Sequence, residues 1–391
     1  MLARADELAT ISEEDGRLTR GFATTALSRA ADLVATWMED AGLTVRRDAV
    51  GNVIGRVGAG PPLALGSHID TVPDAGRYDG PLGVLAALAV VERVAADEER
   101  SSLEVVAFAD EEGTRFGTTY LGSTAYTGSL DRACLDVVDG AGVTLRDAIR
   151  NAGGDPDMAV TAPVPELAGY VEVHIEQGPV LEREGLPLGV VAAIAGQTRA
   201  RITLTGEAGH AGTLPMDARR DSLAAAAEVV LAVERVGRAV AGLVATVGAL
   251  SLAPNVGNVV PGETRMLVDL RHADDGVRRQ AADEIRAEAE RIAAARGVDA
   301  GWTLRYDTPA VELDPLLRGR LADAVRDEGL PVRELVSGAG HDAVVLSRIC
   351  PAAMLFVRCA GGISHDPRES VSEEDVAVAL DVLERVVRSF A

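Results

Sequence analysis

The stretch PPLALGSHIDTVPDAGRYDGPLGVLAALAVVERVAA, Pro61 to Ala96, sets the architecture of this 391-residue chain. Pro61 to Ile69 reads as a strand. Leu82 to Ala96 reads as a helix that is apolar on most faces, opened by Gly80 and Pro81. At the strand's end His68 and Asp70 stand two apart, so an extended chain puts both side chains on one face. That spacing suits a metal-bound imidazole and the acid that accepts its second N–H. Taken alone it equally suits a pair that caps a turn. Asp79 follows at the turn before the helix.

Outward from this unit the alternation continues. Residues 25–42 carry apolar side chains at helical spacing and stop at Gly42, LTVRRDAVGNVIGRV is strand-like, and SLEVVAFADEEG and YVEVHIEQG each read as a strand followed by a polar loop. Strands alternating with helices predict an α/β domain with a mixed, mostly parallel sheet flanked by helices. From about Ile194 the rhythm changes. TRARITLTG, MDARRDSLAAAAEVVLAVERVGRAV, LVATVGALSL, TRMLVDLRH, DDGVRRQAADEIRAEAERIAAARG and WTLRYDT follow as β-α-β-β-α-β, the ferredoxin-like pattern. After Pro309 the first rhythm resumes. The predicted organisation is a catalytic domain from 1–193 and 309–391, interrupted by an inserted domain at 194–308.

The strand ends repeat one theme. FADEEG places Glu111 and Glu112 after one strand, VHIEQG places His174 at the end of another, and GGISHDPRES places His365 after the last. Open parallel sheets bind ligands beyond the carboxyl ends of their strands, so these segments are expected to converge on one site. Each residue alone has an ordinary reading, a solvated loop for the glutamates and a satisfied core position for His174. Their combination in a chain with six histidines is a poor coincidence. Two histidines, a bridging aspartate and two glutamates suit Zn²⁺ or Mn²⁺. Two such ions activate a shared water, and adjacent glutamates can divide the work, one ligating and one serving as general base.

Composition narrows the class. A net charge of −22 repels phosphates and argues against nucleic acid. The chain contains no lysine, which excludes a Schiff-base lysine, a phosphate-loop lysine and a carbamylated lysine between metals. Cys134, Cys350 and Cys359 are odd in number and match no zinc spacing, as expected of reduced thiols. MLARADELATISEED lacks the order of a secretory signal, and no apolar run approaches the ~20 residues that span a bilayer. A cytoplasmic protein with no membrane contact is expected.

The segments HIDTVPDAGRYDG, DEEGTRF, HIEQG, GHAGTLPMDARRD and SHDPRES, in this order, resemble the dinuclear metallohydrolases that include aminoacylases and carboxypeptidases. Within them the match is to the ureido-acid branch of N-carbamoyl-L-amino-acid hydrolases, β-ureidopropionases and allantoate amidohydrolases. The resemblance covers nearly the whole chain. It implies two divalent metal ions per subunit, with His68 and His174 on one, Glu112 and His365 on the other, and Asp79 as the bridge. Glu111 would be the general base and Asp70 would orient His68. HIEQG departs from the peptidase relatives, which usually have an acidic ligand where this chain has His174, and so favours ureido chemistry.

The resemblance further implies that His210 hydrogen-bonds the developing oxyanion and that Arg271 binds the substrate carboxylate through its planar fork. Gln177, Gln197 and Asn258 would be polar positions near the substrate, and Gly340 a backbone contact in the GAGHDA loop of His341 and Asp342. His272 is read as structural. The implied activity is hydrolysis of the terminal carbamoyl group of a small ureido acid, such as allantoate or an N-carbamoyl-L-amino acid, in a homodimer joined through the inserted lid domain. An aminoacylase or peptidase would share the metals and differ in its pocket. A non-catalytic binder on the same fold would lack a ligand or the base.

Overall fold

Leu63–His68 is a strand buried along its whole length, paired parallel with Leu103–Phe108 on one side and Gly169–Ile175 on the other. Ala352–Val357 adds to Gly169–Ile175, again parallel. All four strands are buried throughout, which is how strands covered on both faces read. Register sets His68 opposite Phe108 and His174 opposite Phe356, so the carboxyl ends of these strands share one edge of the sheet. The computed structural model describes residues 1–95 and 102–390; Ala96, the last residue of the predicted helix, lies outside them.

The flanks of the sheet are antiparallel. LTVRRDAVGNVIGRV, read as one strand-like segment, folds as a hairpin of Thr44–Arg47 and Val53–Val57, because Asp48 Oδ1 accepts the backbone N–H groups of Val50, Gly51 and Asn52 and turns the chain. On the other flank Leu188–Ile194 pairs antiparallel with Ala352–Val357. This strand went unread in the sequence, since a short apolar run carries no period to separate strand from helix. The sheet is thus mixed, with a parallel centre.

The helix Pro81–Val94 packs on Leu63–His68 and Gly169–Ile175, and the helices Leu2–Ala9 and Glu373–Arg388 pack on it in turn. Its two-sided cover explains its apolar composition. Gly80 caps it at φ +84, and a Cβ there would overlap the His68 ring, so glycine is required twice over. No described helix is long and apolar enough to cross a membrane.

The chain divides into two units, Met1–Ala192 with Leu313–Ala391, and Ala193–Glu312. The second is an antiparallel sheet in the order Asp299–Thr308, Gly196–Thr205, Glu263–His272, Val244–Ala253, which is the fourth, first, third and second long strand of the unit. Helices Ser222–Ala239 and Asp275–Ala295 close a core that includes Ile202, Leu204, Val229, Met266 and Ile285. The predicted helix over 216–240 starts only at Ser222, because the Asp221 carboxylate accepts from Leu223 and Ala224 and caps it there. Where this unit leaves and rejoins the sheet strand, Val311 pairs with Ile194 and Glu312 with Ala193.

Candidate metal centre

Asp79 is the centre of the site. Its Oδ1 lies 3.2 Å from His174 Nε2 and 3.7 Å from His68 Nε2, and its Oδ2 lies 3.4 Å from His365 Nε2. His365 Nε2 is also 3.1 Å from Glu112 Oε1. Two donor groups result, His68/Asp79/His174 and Asp79/Glu112/His365, and they share the aspartate. The rings are set to offer Nε2. His68 Nδ1 faces the Asp70 carboxylate at 3.3 Å and the Asp70 carbonyl at 3.2 Å, while His174 Nδ1 faces the Ile175 carbonyl at 3.0 Å. An N–H on Nδ1 leaves the Nε2 lone pair for a cation. His174 Nε2 is buried and makes no hydrogen bond, an orphaned donor atom of the kind a metal satisfies.

Asp70 does more than orient His68. Its Oδ1 accepts the backbone N–H of Glu111 at 3.0 Å and its Oδ2 that of Glu112 at 3.2 Å. One buried carboxylate therefore registers the His68 strand end against the glutamate loop. Glu111 lies beside the donors in a third grouping with His68 and Glu112. Burial pushes its carboxyl well above the usual range, opposed by His68 and reinforced by the nearby carboxylates. Burial disfavours charge on Asp79 too, but His174 and His68 outweigh it and hold that carboxyl well below its usual range. Two acids that both face His68 are thus driven in opposite directions.

Gln177 is turned toward Asp79. Its Nε2 donates to Asp79 Oδ2 at 2.8 Å, beside the Ser364 hydroxyl on the same oxygen, and its Oε1 is buried without a hydrogen-bond partner. Gly340 packs against the Tyr120 hydroxyl so closely that a Cβ would overlap it. His341, adjacent, stacks edge-on to His174 at 4.5 Å between ring centroids and hydrogen-bonds Ser337.

In the second unit, strand register sets Arg271 directly opposite Gln197. Both side chains, together with Arg199, converge on Asp269. His210 pairs with Val259 across a two-residue ladder, and the Ala211 N–H donates to the Asn258 carbonyl, so His210 and Asn258 are neighbours. His210 Nδ1 accepts from the Gly212 N–H, and His272 Nδ1 accepts from the Asp274 N–H while its Nε2 donates to the Ala241 carbonyl.

The model of peptidase family M20/M25/M40 matches residues 64–389. The chain belongs to that family. An allantoate deiminase of Arabidopsis thaliana is 40% identical over 98% of this chain and 81% of its own length. An N-carbamoyl-L-amino acid amidohydrolase of Geobacillus stearothermophilus is 41% identical over 99% of this chain and 97% of its own. Among solved structures, an amidase of the hydantoinase/carbamoylase family from Burkholderia multivorans is 36% identical with a TM-score of 0.93, covering 100% of this chain and 97% of that one. With these relatives, this M20 chain is a hydrolase of C–N bonds other than peptide bonds.

Three residues that neighbour sequence-predicted positions escaped the sequence reading. Glu172 is fully buried two positions before His174; it accepts from Ser67 Oγ at 2.7 Å and from the Ala343 N–H at 3.1 Å. Its signal was available, a charge inside an otherwise apolar strand on the histidine's face. Tyr120 takes a left-handed backbone at φ +64 and donates its N–H to the Glu111 carbonyl. Asp269, between the two arginines, reads in sequence as one more surface charge.

Proposed function

We propose that the protein hydrolyses the terminal carbamoyl C–N bond of a small ureido acid, allantoate or an N-carbamoyl-L-amino acid, using two divalent ions, Zn²⁺ or Mn²⁺. The observation that carries this reading is Asp79 shared by two donor groups, with buried Glu111 beside them. The names of the relatives support the ureido substrate, as does a histidine at position 174.

His68, Asp79, Glu112, His174 and His365 would hold the ions, which when bound would supply Lewis acidity and lower the pKa of water. Glu111 takes the proton of the attacking water and passes it to the departing nitrogen, so ammonia leaves. The remaining carbamate loses carbon dioxide to give the amine. His210 stabilises the developing oxyanion, worth roughly 3 to 4 kcal/mol for a single donor in comparable sites. Arg271 grips the substrate carboxylate, flanked by Gln197 and Asn258, with Gly340 offering a backbone contact. Gln177 is proposed to hold Asp79 rather than substrate, given its hydrogen bond. We propose a cytoplasmic homodimer joined through the 193–312 unit, in which His210 serves the metal centre of the partner subunit; exposed Val244, Leu250 and Leu304 on that unit's edge strands support such an association.

Ammonia release from a panel of N-carbamoyl amino acids, allantoate, N-acyl amino acids and dipeptides tests the reading, with metal content measured on the same sample. Activity confined to ureido acids is expected. Chelation should abolish it and Zn²⁺ or Mn²⁺ restore it; full turnover in demonstrably metal-free protein would remove the mechanism.

Arg271→Lys should raise KM for ureido acids by about 10- to 100-fold, the loss of one charge-assisted hydrogen bond. An uncharged amide analogue should lose far less. Equal losses on both would show that Arg271 does not bind the carboxylate.

A further inference from the structure

We infer that Glu369 is a positioning residue for Asp79, a role that rests on the metal-centre reading above. Glu369 belongs to the loop that also carries Ser364 and His365, and it is 3% exposed. Its Oε1 accepts two backbone N–H groups, from Tyr78 at 2.6 Å and from Asp79 at 3.0 Å. Those bonds fix the peptide planes on both sides of Tyr78, the last residue before the shared aspartate. Opposite stands Gly76, where a Cβ would overlap the Glu369 side chain, so the 76–79 loop closes on Glu369 only because position 76 has none.

The consequence for Asp79 is that one loop holds it at two levels. The Ser364 hydroxyl sits on its carboxylate, and Glu369 sits on its backbone, 290 positions away in sequence. A carboxylate that serves two donor groups must present both oxygens at fixed positions at once. Hydrogen bonds to the carboxylate alone leave its Cα free to swing about the loop; the grip on the two N–H groups removes that freedom before any ion arrives. Preorganisation of this kind is what outer residues contribute to a metal site.

The role makes a distinction among substitutions that simple loop stapling does not. Glu369→Gln keeps an amide oxygen where Oε1 stands and therefore both hydrogen bonds. Glu369→Asp keeps the charge but withdraws the oxygen by one methylene, and Glu369→Ala removes it. Gly76→Ala attacks the same contact from the other side. The experiment measures the Zn²⁺ and Mn²⁺ dissociation constants of the full chain by competition with a chromophoric chelator, together with the unfolding midpoint of each chelator-stripped protein.

Glu369→Ala, Glu369→Asp and Gly76→Ala should each bind metal about 10- to 100-fold more weakly, while Glu369→Gln stays within about threefold of the parent. A purely structural Glu369 would instead lower the midpoint of the stripped protein and leave the metal constants unmoved, which overturns the inference. So does Glu369→Gln binding as weakly as Glu369→Ala, because charge and not acceptor geometry would then be at work. If Glu369→Ala does not fold, Glu369→Asp against Glu369→Gln decides by the same criterion. Parent protein that binds neither ion overturns the metal-centre reading and this inference together; parent binding with an indifferent Glu369→Ala overturns this inference alone.

Discussion

Glu111→Gln is expected to keep both metal ions and lose about 10²- to 10⁴-fold in turnover, the range of a single general base. The substitution changes neither volume nor the backbone, which is held from both sides by the Asp70 carboxylate on its N–H and the Tyr120 N–H on its carbonyl. What disappears is the proton acceptor. Its neighbour should behave oppositely. Glu112 Oε1 stands 3.1 Å from His365 Nε2 in a donor group with Asp79, so Glu112→Gln should weaken occupancy of one ion. Elemental analysis of both purified variants, with single-turnover ammonia release, separates the two effects. If Glu111→Gln is the variant that loses metal, the roles are reversed.

Mixing two inactive proteins, His210→Ala and Glu111→Ala, should recover activity under conditions that exchange subunits. With His210 acting on the partner's site, a mixed dimer holds one site with both defects and one intact. Random exchange makes half the dimers mixed, so about a quarter of parental activity is expected. With His210 acting within its own subunit, every site keeps one defect and the mixture stays inactive. Native mass measurement must show that mixed dimers have formed; silence in their presence rejects the exchange of His210 between subunits.

The parts of the site legible in the sequence are those whose signal is local. His68 and Asp70 share a face because strands repeat every two residues, and they lie close in the structure. The loops after Phe108, at His174 and at His365 could be joined because parallel strands bring their carboxyl ends to one edge, and the donor atoms gather there. What sequence could not show were bonds made to the backbone or between distant like-looking charges. Asp70 grips the N–H groups of two glutamates, and no spacing announces an acceptor that serves another segment's main chain. Arg271 and Gln197 meet on Asp269 because of antiparallel register, which depends on where a strand begins and not on its composition. The unread strand Leu188–Ile194 failed for a third reason, a buried apolar run with no polar face to set its period.

The pairing of Val311 with Ile194 and of Glu312 with Ala193 bears on how such a chain is built and rebuilt. A unit whose two ends are adjacent rungs of one antiparallel ladder leaves a gap of only ~5 Å when it is cut out. A two-residue turn spans that distance, so the outgoing and returning strands close into an ordinary hairpin. The 193–312 segment is in this sense a cassette, and its entry and exit form a natural splice point. Exchange for a unit of other length or curvature needs no change in the path of the chain that carries the candidate metal ligands. Variation within the cassette is thereby uncoupled, at the level of connectivity, from the His68 and His174 strands.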